Sequence, residues 1–181
     1  MRSRQLFLLL PVLCLVGGAQ GGSLPSREEV LVALFPGSTI RAERVFLTGE
    51  QRRQAAALSG GQVPSALIAR YLAWEEDKEI GRAYVDTHVV RTKKESLLIC
   101  LDEKGVVRRI EVTAFLEPHE YRVSTRWYEQ YRGRTLGEDL SLQRSIRPVA
   151  GATLTARATH QAVRRVLAID RILRAAEEGQ P

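Results

Sequence analysis

Cysteine is nearly missing from this chain: Cys14 and Cys100 are the only two in 181 residues. If the segment holding Cys14 is removed on export, one thiol remains and no internal disulfide can form. Cys100 lies in the apolar run from Ser96 to Leu101, which predicts a buried, inert thiol. Activation would need a basic partner, and none is evident nearby in the sequence. Histidine is scarce too, with only His88, His119 and His160. No pair among them has metal-ligand spacing, so neither zinc nor an iron–sulfur cluster is expected. His88 falls within a strand pattern, and His119 and His160 are expected at the surface. There is no internal repeat and no low-complexity tract. After residue 16 no apolar run is long enough to span a bilayer.

What is present is one domain's worth of chain, 44% hydrophobic, with a formal charge of +6. Arg2 and Arg4 precede an apolar run from Leu6 to Val16, and small residues follow near 17–19. That is the layout of a secretory signal, so residues 1–19 are expected to direct export to a periplasmic location. Retention of this segment as a membrane anchor is the alternative. Pro11 interrupts the run, which falls short of the roughly 20 residues a spanning helix needs.

Residues 20–64 read as an N-terminal helical extension. Ser26 opens a short helix, with Glu28 and Glu29 near its positive end and Val30, Leu31, Leu34 and Phe35 on its apolar side. Pro36-Gly37 ends it, and residues 39–47 read as extended. Thr48 caps a second helix through about Leu58, with Gln51 as its reciprocal partner, and Gly60-Gly61 stops it. From residue 65 to 177 the chain reads as the main domain. Residues 67–74, 80–91, 96–102 and 106–116 alternate as strands, with tight charged turns at Lys93-Lys94 and Asp102–Gly105. Short connections make antiparallel neighbours, so the class is α+β: an antiparallel sheet with flanking helices.

After the sheet the composition changes. The segment from His119 to Gly137 is crowded with Tyr121, Arg122, Arg126, Trp127, Tyr128, Tyr131, Arg132 and Arg134. Then comes Arg147-Pro-Val-Ala-Gly-Ala-Thr-Leu-Thr-Ala-Arg-Ala-Thr159 and a long helical pattern. Thr155 is expected to cap that helix, and Ala162, Val166, Ile169, Leu173 and Ala176 form its apolar face. Arg157, Arg164 and Arg171 recur every seven residues and read as an exposed basic stripe. A glycine leading into a helix start suits an anion, because free N–H groups and the positive end of the macrodipole meet there. Gly151 lets a backbone come close, Ala152 adds almost no bulk, and Thr153 places a hydroxyl at the same spot. The ordinary reading of Gly-Ala-Thr before a helix is a turn and a cap.

The stretch Ala150-Gly-Ala-Thr-Leu-Thr155, followed by a helix, resembles the flavin-attachment motif of the FMN-binding domain family. That family includes the G subunit of the Rnf electron-transport complex and the C subunit of the sodium-translocating NADH:quinone reductase. The hairpin over Leu98–Leu116 and the segment Trp127-Tyr-Glu-Gln-Tyr-Arg-Gly133 are also similar to the family's, so the resemblance covers roughly residues 80–170. It implies an FMN cofactor joined by a phosphoester to threonine, made by a flavin transferase. The attachment residue would be Thr153, with Thr155 the second choice. The chain departs from the family pattern at Arg147, where an acidic residue is usual, and at Ala150, where Ser or Thr is usual.

With FMN in place, the implied binding residues are Gly151, Ala152, Thr153, Leu154 and Thr155. Arg157 would sit near the phosphate, and Trp127 and Tyr128, with Leu154, would wall the isoalloxazine ring. Glu117 and His119, in the turn after the hairpin, are candidates for an acid–base role. The expected function is an exported electron carrier working with a membrane redox complex or other carriers, with no catalytic residue of its own. The alternative is a secreted binding or assembly module of the same fold that has lost its flavin. Nucleic-acid binding, suggested by a pI near 9.7, is not expected of an exported chain with no DNA- or RNA-binding motif.

Overall fold

The computed structural model describes residues 24–137 and 139–179. The expected signal segment at 1–19, with Cys14, lies outside the described residues. Among the described residues no helix is long and apolar enough to cross a membrane.

The fold is α+β. Helix α1 (Arg27–Leu34) leads into strand β1 (Thr39–Phe46) and helix α2 (Gly49–Ser59). Four strands follow, β2 (Leu67–Glu75), β3 (Lys78–Val89), β4 (Lys94–Asp102) and β5 (Val107–Phe115). A short helix α3 (Thr125–Tyr128) lies between single 3-10 turns at His119–Tyr121 and Glu129–Tyr131, and helix α4 (Thr153–Glu178) closes the chain.

Both early helices start as their sequences dictate. Ser26 and Glu29 form a reciprocal capping box, and so do Thr48 and Gln51, which satisfies N–H groups the helix leaves free. Gly60 ends α2 in the left-handed conformation at φ 70°.

The sheet is one antiparallel meander in the order β1-β2-β3-β4-β5. The extended segment at 39–46 is its edge strand, paired with β2 over eight positions from Thr39↔Trp74 to Phe46↔Leu67. Asp102 ties the β4–β5 turn by accepting from the N–H groups of Lys104 and Val106. Each face of the sheet is covered. On one side α1 places Val30, Leu31 and Phe35 against Ala73, Ala83, Leu98 and Cys100. On the other, α4 and the 123–146 segment pack on Tyr84, Leu97, Ile99, Leu101, Val107, Ile110 and Val112. Strand β4 is therefore buried on both faces, which is why its sequence reads as an unbroken apolar run rather than an alternation. Cys100 is fully buried there, and burial pushes its thiol up to about 12.

Several charged side chains lie inside this packing. Arg165 on α4 makes two hydrogen bonds of 2.8 Å to Asp86 on β3. His88 bridges Asp86 (2.9 Å) and Glu95 on β4 (3.0 Å). Glu95, with no exposed surface, also accepts from Thr159 and Tyr128. Burial opposes the charged form of His88, but the hydrogen bonds it donates to Asp86 and Glu95 outweigh it and hold its pKa at about 9. Further along α4, Asp170 accepts from Tyr84 and Arg174 and faces Arg82. These links fix the rotation and height of α4 on the sheet.

Candidate functional site

Helix α4 begins at Thr153, two residues before the expected cap. Its N-cap is Ala152, with no side-chain cap. Thr155 does not cap it: only 1% exposed, it donates its hydroxyl hydrogen to the carbonyl of Tyr121. The reason is tertiary. The 119–121 turn packs against the first turn of α4 and offers a carbonyl that a local sequence reading cannot see. The first-turn N–H groups are thus left without a capping oxygen from their own segment.

A cleft of about 240 Å³ lies at this helix start, lined by Gly151, Ala152, Thr153, Leu154, Thr155, Arg91 and Tyr121. Gly151 has φ 82°, and a Cβ built on it would meet nothing within 4 Å. The glycine is therefore set by its left-handed backbone rather than by crowding. Thr153 is exposed, and its hydroxyl donates back to the carbonyl of Val149 at 3.2 Å. Leu154 is 47% exposed at the rim.

Arg91 is the residue that sequence reading missed. It comes from the β3–β4 turn, some sixty positions upstream of the helix, and no local motif marks it. Its guanidinium sits 4.5 Å from the centre of the Tyr121 ring. The turn carrying it is held by Glu117, whose Oε1 accepts from the N–H groups of Arg91, Thr92 and Lys93 at 3.1, 2.7 and 2.8 Å. Those backbone bonds keep the Glu117 carboxyl below its ordinary range. An acid–base role for Glu117 gives way to a structural one. One oxygen of its carboxylate is taken by these three N–H groups, which favour the ionised form. His119 is exposed in the 119–121 turn and does not line the cleft.

Trp127 and Tyr128 stand apart from this cleft. Both are core residues, 7% and 4% exposed. Trp127 packs edge-on to Tyr128 and Tyr131 and donates its Nε1 hydrogen to the Arg147 carbonyl at 2.7 Å. Gln130 accepts from the Arg147 N–H at 2.8 Å. The aromatic segment therefore grips the backbone just before Gly151 from both sides. Trp127 and Arg147 also line an open groove with Ser124, Arg126 and Gln130. Tyr128 points its hydroxyl at buried Glu95.

The expected basic stripe on α4 does not stay together at the surface. Arg157 is exposed but lies outside the cleft. Arg164 turns in to the carbonyls of Ser59, Gly137 and Leu140, and Arg171 donates to Leu136. Buried carbonyls at chain ends and turns need donors, and a guanidinium can serve several at once. His160 is likewise not a surface residue. It is 8% exposed and its Nδ1 lies 3.1 Å from the Tyr131 hydroxyl. Burial, with the nearby Arg164 charge, lowers its pKa to about 4 and keeps it neutral. On the apolar face of α4, Ala162, Val166, Ile169 and Leu173 are buried as expected and Ala176 is exposed.

The arrangement can hold a small anion, or the phosphate end of a larger ligand, between uncapped amides, one cation and the exposed Thr153 hydroxyl, once that hydroxyl turns from the Val149 carbonyl. Among the described residues no group of acidic, histidine and cysteine side chains could hold a metal. Compared with known proteins, the chain matches no protein-family model, no curated protein and no solved structure.

Proposed function

We propose that this chain is an exported flavoprotein electron carrier of the FMN-binding domain type, holding FMN at the head of α4 through a phosphoester to Thr153. The observation that carries this reading is the placement of Thr153. It is an exposed hydroxyl at an uncapped helix start, in a cleft that also holds Arg91 and Tyr121. Of the two candidate threonines, Thr155 is buried with its hydroxyl held on the Tyr121 carbonyl, whereas Thr153 is exposed and its hydroxyl makes only a 3.2 Å bond to Val149, which favours Thr153.

The residues fit part of the cofactor. A volume of about 240 Å³ is below the roughly 300–1,000 Å³ of sites that enclose a drug-sized ligand. It suits a phosphate and the start of its chain, and it leaves a flavin ring near the surface beside Leu154 and Tyr121. The amides of residues 153–155 and Arg91 would bind the phosphate, and Gly151 would let it approach the backbone. Trp127 and Gln130 would act indirectly, by holding the strand of chain that ends at Gly151. Bound flavin would supply the one- or two-electron chemistry, and the protein its position and potential. A membrane redox complex or another carrier would be the electron partner, and a flavin transferase would mature the protein.

One second reading has observations in its favour. Arg147 and Ala150 depart from the attachment pattern, and Trp127 and Tyr128 are spent on the core. A secreted assembly module of the same fold, without flavin, would look the same. Intact mass after export, with and without a co-expressed flavin transferase, decides. A gain of FMN minus one water, mapped to the peptide holding Thr153 and lost in Thr153→Ala, is expected. A yellow protein without the gain would mean non-covalent FMN. A colourless, unmodified protein under both conditions would leave the assembly module.

A further inference from the structure

The two edges of the sheet are treated differently. The β5 edge starts under the chain that follows α3: Val107 donates to the Arg134 carbonyl and accepts from the Gly133 N–H. Strand β1, among the described residues, pairs with β2 alone. Thr39, Arg41, Ala42, Arg44 and Phe46 are exposed along it. An open edge of eight residues presents a row of unpaired backbone groups, which is a template for another strand.

Its charges specify which strand. A twofold axis through an antiparallel edge pair keeps each side chain opposite one on the same face. Faces alternate along a strand, so the axis must pass at a residue and not between residues. Centring on Arg41 opposes Arg41 with itself. Centring on Glu43 opposes two carboxylates, and centring on Arg44 opposes two guanidinium groups. Centring on Ala42 opposes Arg41 with Glu43 twice, places Ile40 across from Arg44, and puts only two methyl groups at the axis. This register alone among the four has no like charges directly opposed and two opposite-charge pairs.

Both partners of that pair are already positioned on their own sheet. Arg41 lies over the Trp74 ring, 5.0 Å from its centre. Glu43 is held at one carboxylate oxygen by Arg70 Nε at 2.8 Å. We propose that the β1 edge pairs antiparallel with the β1 edge of a second copy, in register about Ala42, joining two five-stranded sheets into one of ten strands. The contact is a single pair of short strands, so the dimer is weak and reversible. It does not depend on the flavin reading.

Sedimentation velocity on the purified chain tests this across a concentration series. Wild type is expected to dimerise reversibly. Arg41→Glu, which opposes carboxylates at both pairs, is expected to weaken the dimer by roughly tenfold or more. Glu43→Arg, which opposes guanidinium groups, should do the same, with circular dichroism to confirm that both variants fold. The decisive sample is their mixture. One chain then carries two acids and the other two arginines, both pairs become attractive, and a heterodimer is expected at near wild-type affinity. A chain that stays monomeric leaves the edge to a strand of some other protein and overturns the proposal. Association that ignores Arg41 and Glu43, or a mixture that does not recover, overturns it as well.

Discussion

Replacing Arg165 by methionine is expected to be among the most damaging single changes on α4. Arg165 and Asp86 are each about 10% exposed at the side chain and share two hydrogen bonds of 2.8 Å. Methionine fills much of the space but leaves Asp86 buried with only His88 as a partner. Removing one member of a buried pair costs about 3–5 kcal/mol. The remaining His88 contact places the value near the lower end, about 3 kcal/mol. A domain of this size has about 5–15 kcal/mol to lose. With a urea slope of about 2 kcal/mol per molar, the midpoint should fall by about 1.5 M. Urea titration at pH 7, followed by far-ultraviolet circular dichroism, measures this directly. The double change Arg165→Met with Asp86→Asn should recover a large part of the loss, since it removes both charges and leaves His88 facing Glu95. A single-variant shift below about 0.3 M, or a double variant that loses the sum of the two singles, would refute the account.

The two buried histidines should pull stability in opposite directions with pH. His88 has its pKa raised from 6.5 to about 9, so its contribution is complete below pH 6.5 and fades as pH rises through 9. His160 is lowered to about 4, so stability falls as pH drops from 6.5 through 4. His88→Gln should flatten the alkaline limb of a stability–pH curve and His160→Gln the acid limb; unchanged limbs would count against these assignments. Gly81→Ala should destabilise by about 1–3 kcal/mol, because its Cβ would stand 2.6 Å from Phe35 Cε1 and 2.7 Å from the Leu101 carbonyl oxygen. An unchanged melting temperature would show that α1 yields freely. In a Cys14→Ser background, Cys100 should ignore a thiol reagent at pH 8 and react once denatured; labelling of the folded protein would contradict its burial.

What could be read in the sequence is what is local. The capping boxes at Ser26 and Thr48, the turn at Asp102–Gly105 and the four later strands depend on neighbours within a few residues, and they appear where their patterns place them. What could not be read depends on contacts far along the chain. Thr155 has the right type for a cap, yet its hydroxyl goes to Tyr121. Arg164 has surface spacing, yet it serves carbonyls from Ser59 to Leu140. Asp86 and Glu95 look like ordinary polar positions until α4 and α3 bring Arg165, Thr159 and Tyr128 to them. The candidate site divides in the same way. The Gly151–Thr155 stretch was visible as a motif, whereas Arg91 becomes part of it only through the β3–β4 turn that Glu117 ties down.

The meander order has a consequence for how the molecule forms. Strands β2 to β5 each pair with the next across a short turn, and β1 reaches β2 across α2, so the β2–β5 part of the sheet is expected to assemble early and fast. Helix α4 is bound by partners from 24 positions away, Leu140 with Arg164, to 107, Arg70 with Glu177, so its docking closes longer loops than the strand turns do. The cleft at Gly151–Thr155 is therefore a late product of folding. Until α4 seats, Arg91, Tyr121 and the Gly151–Thr155 stretch that line the cleft are not brought together.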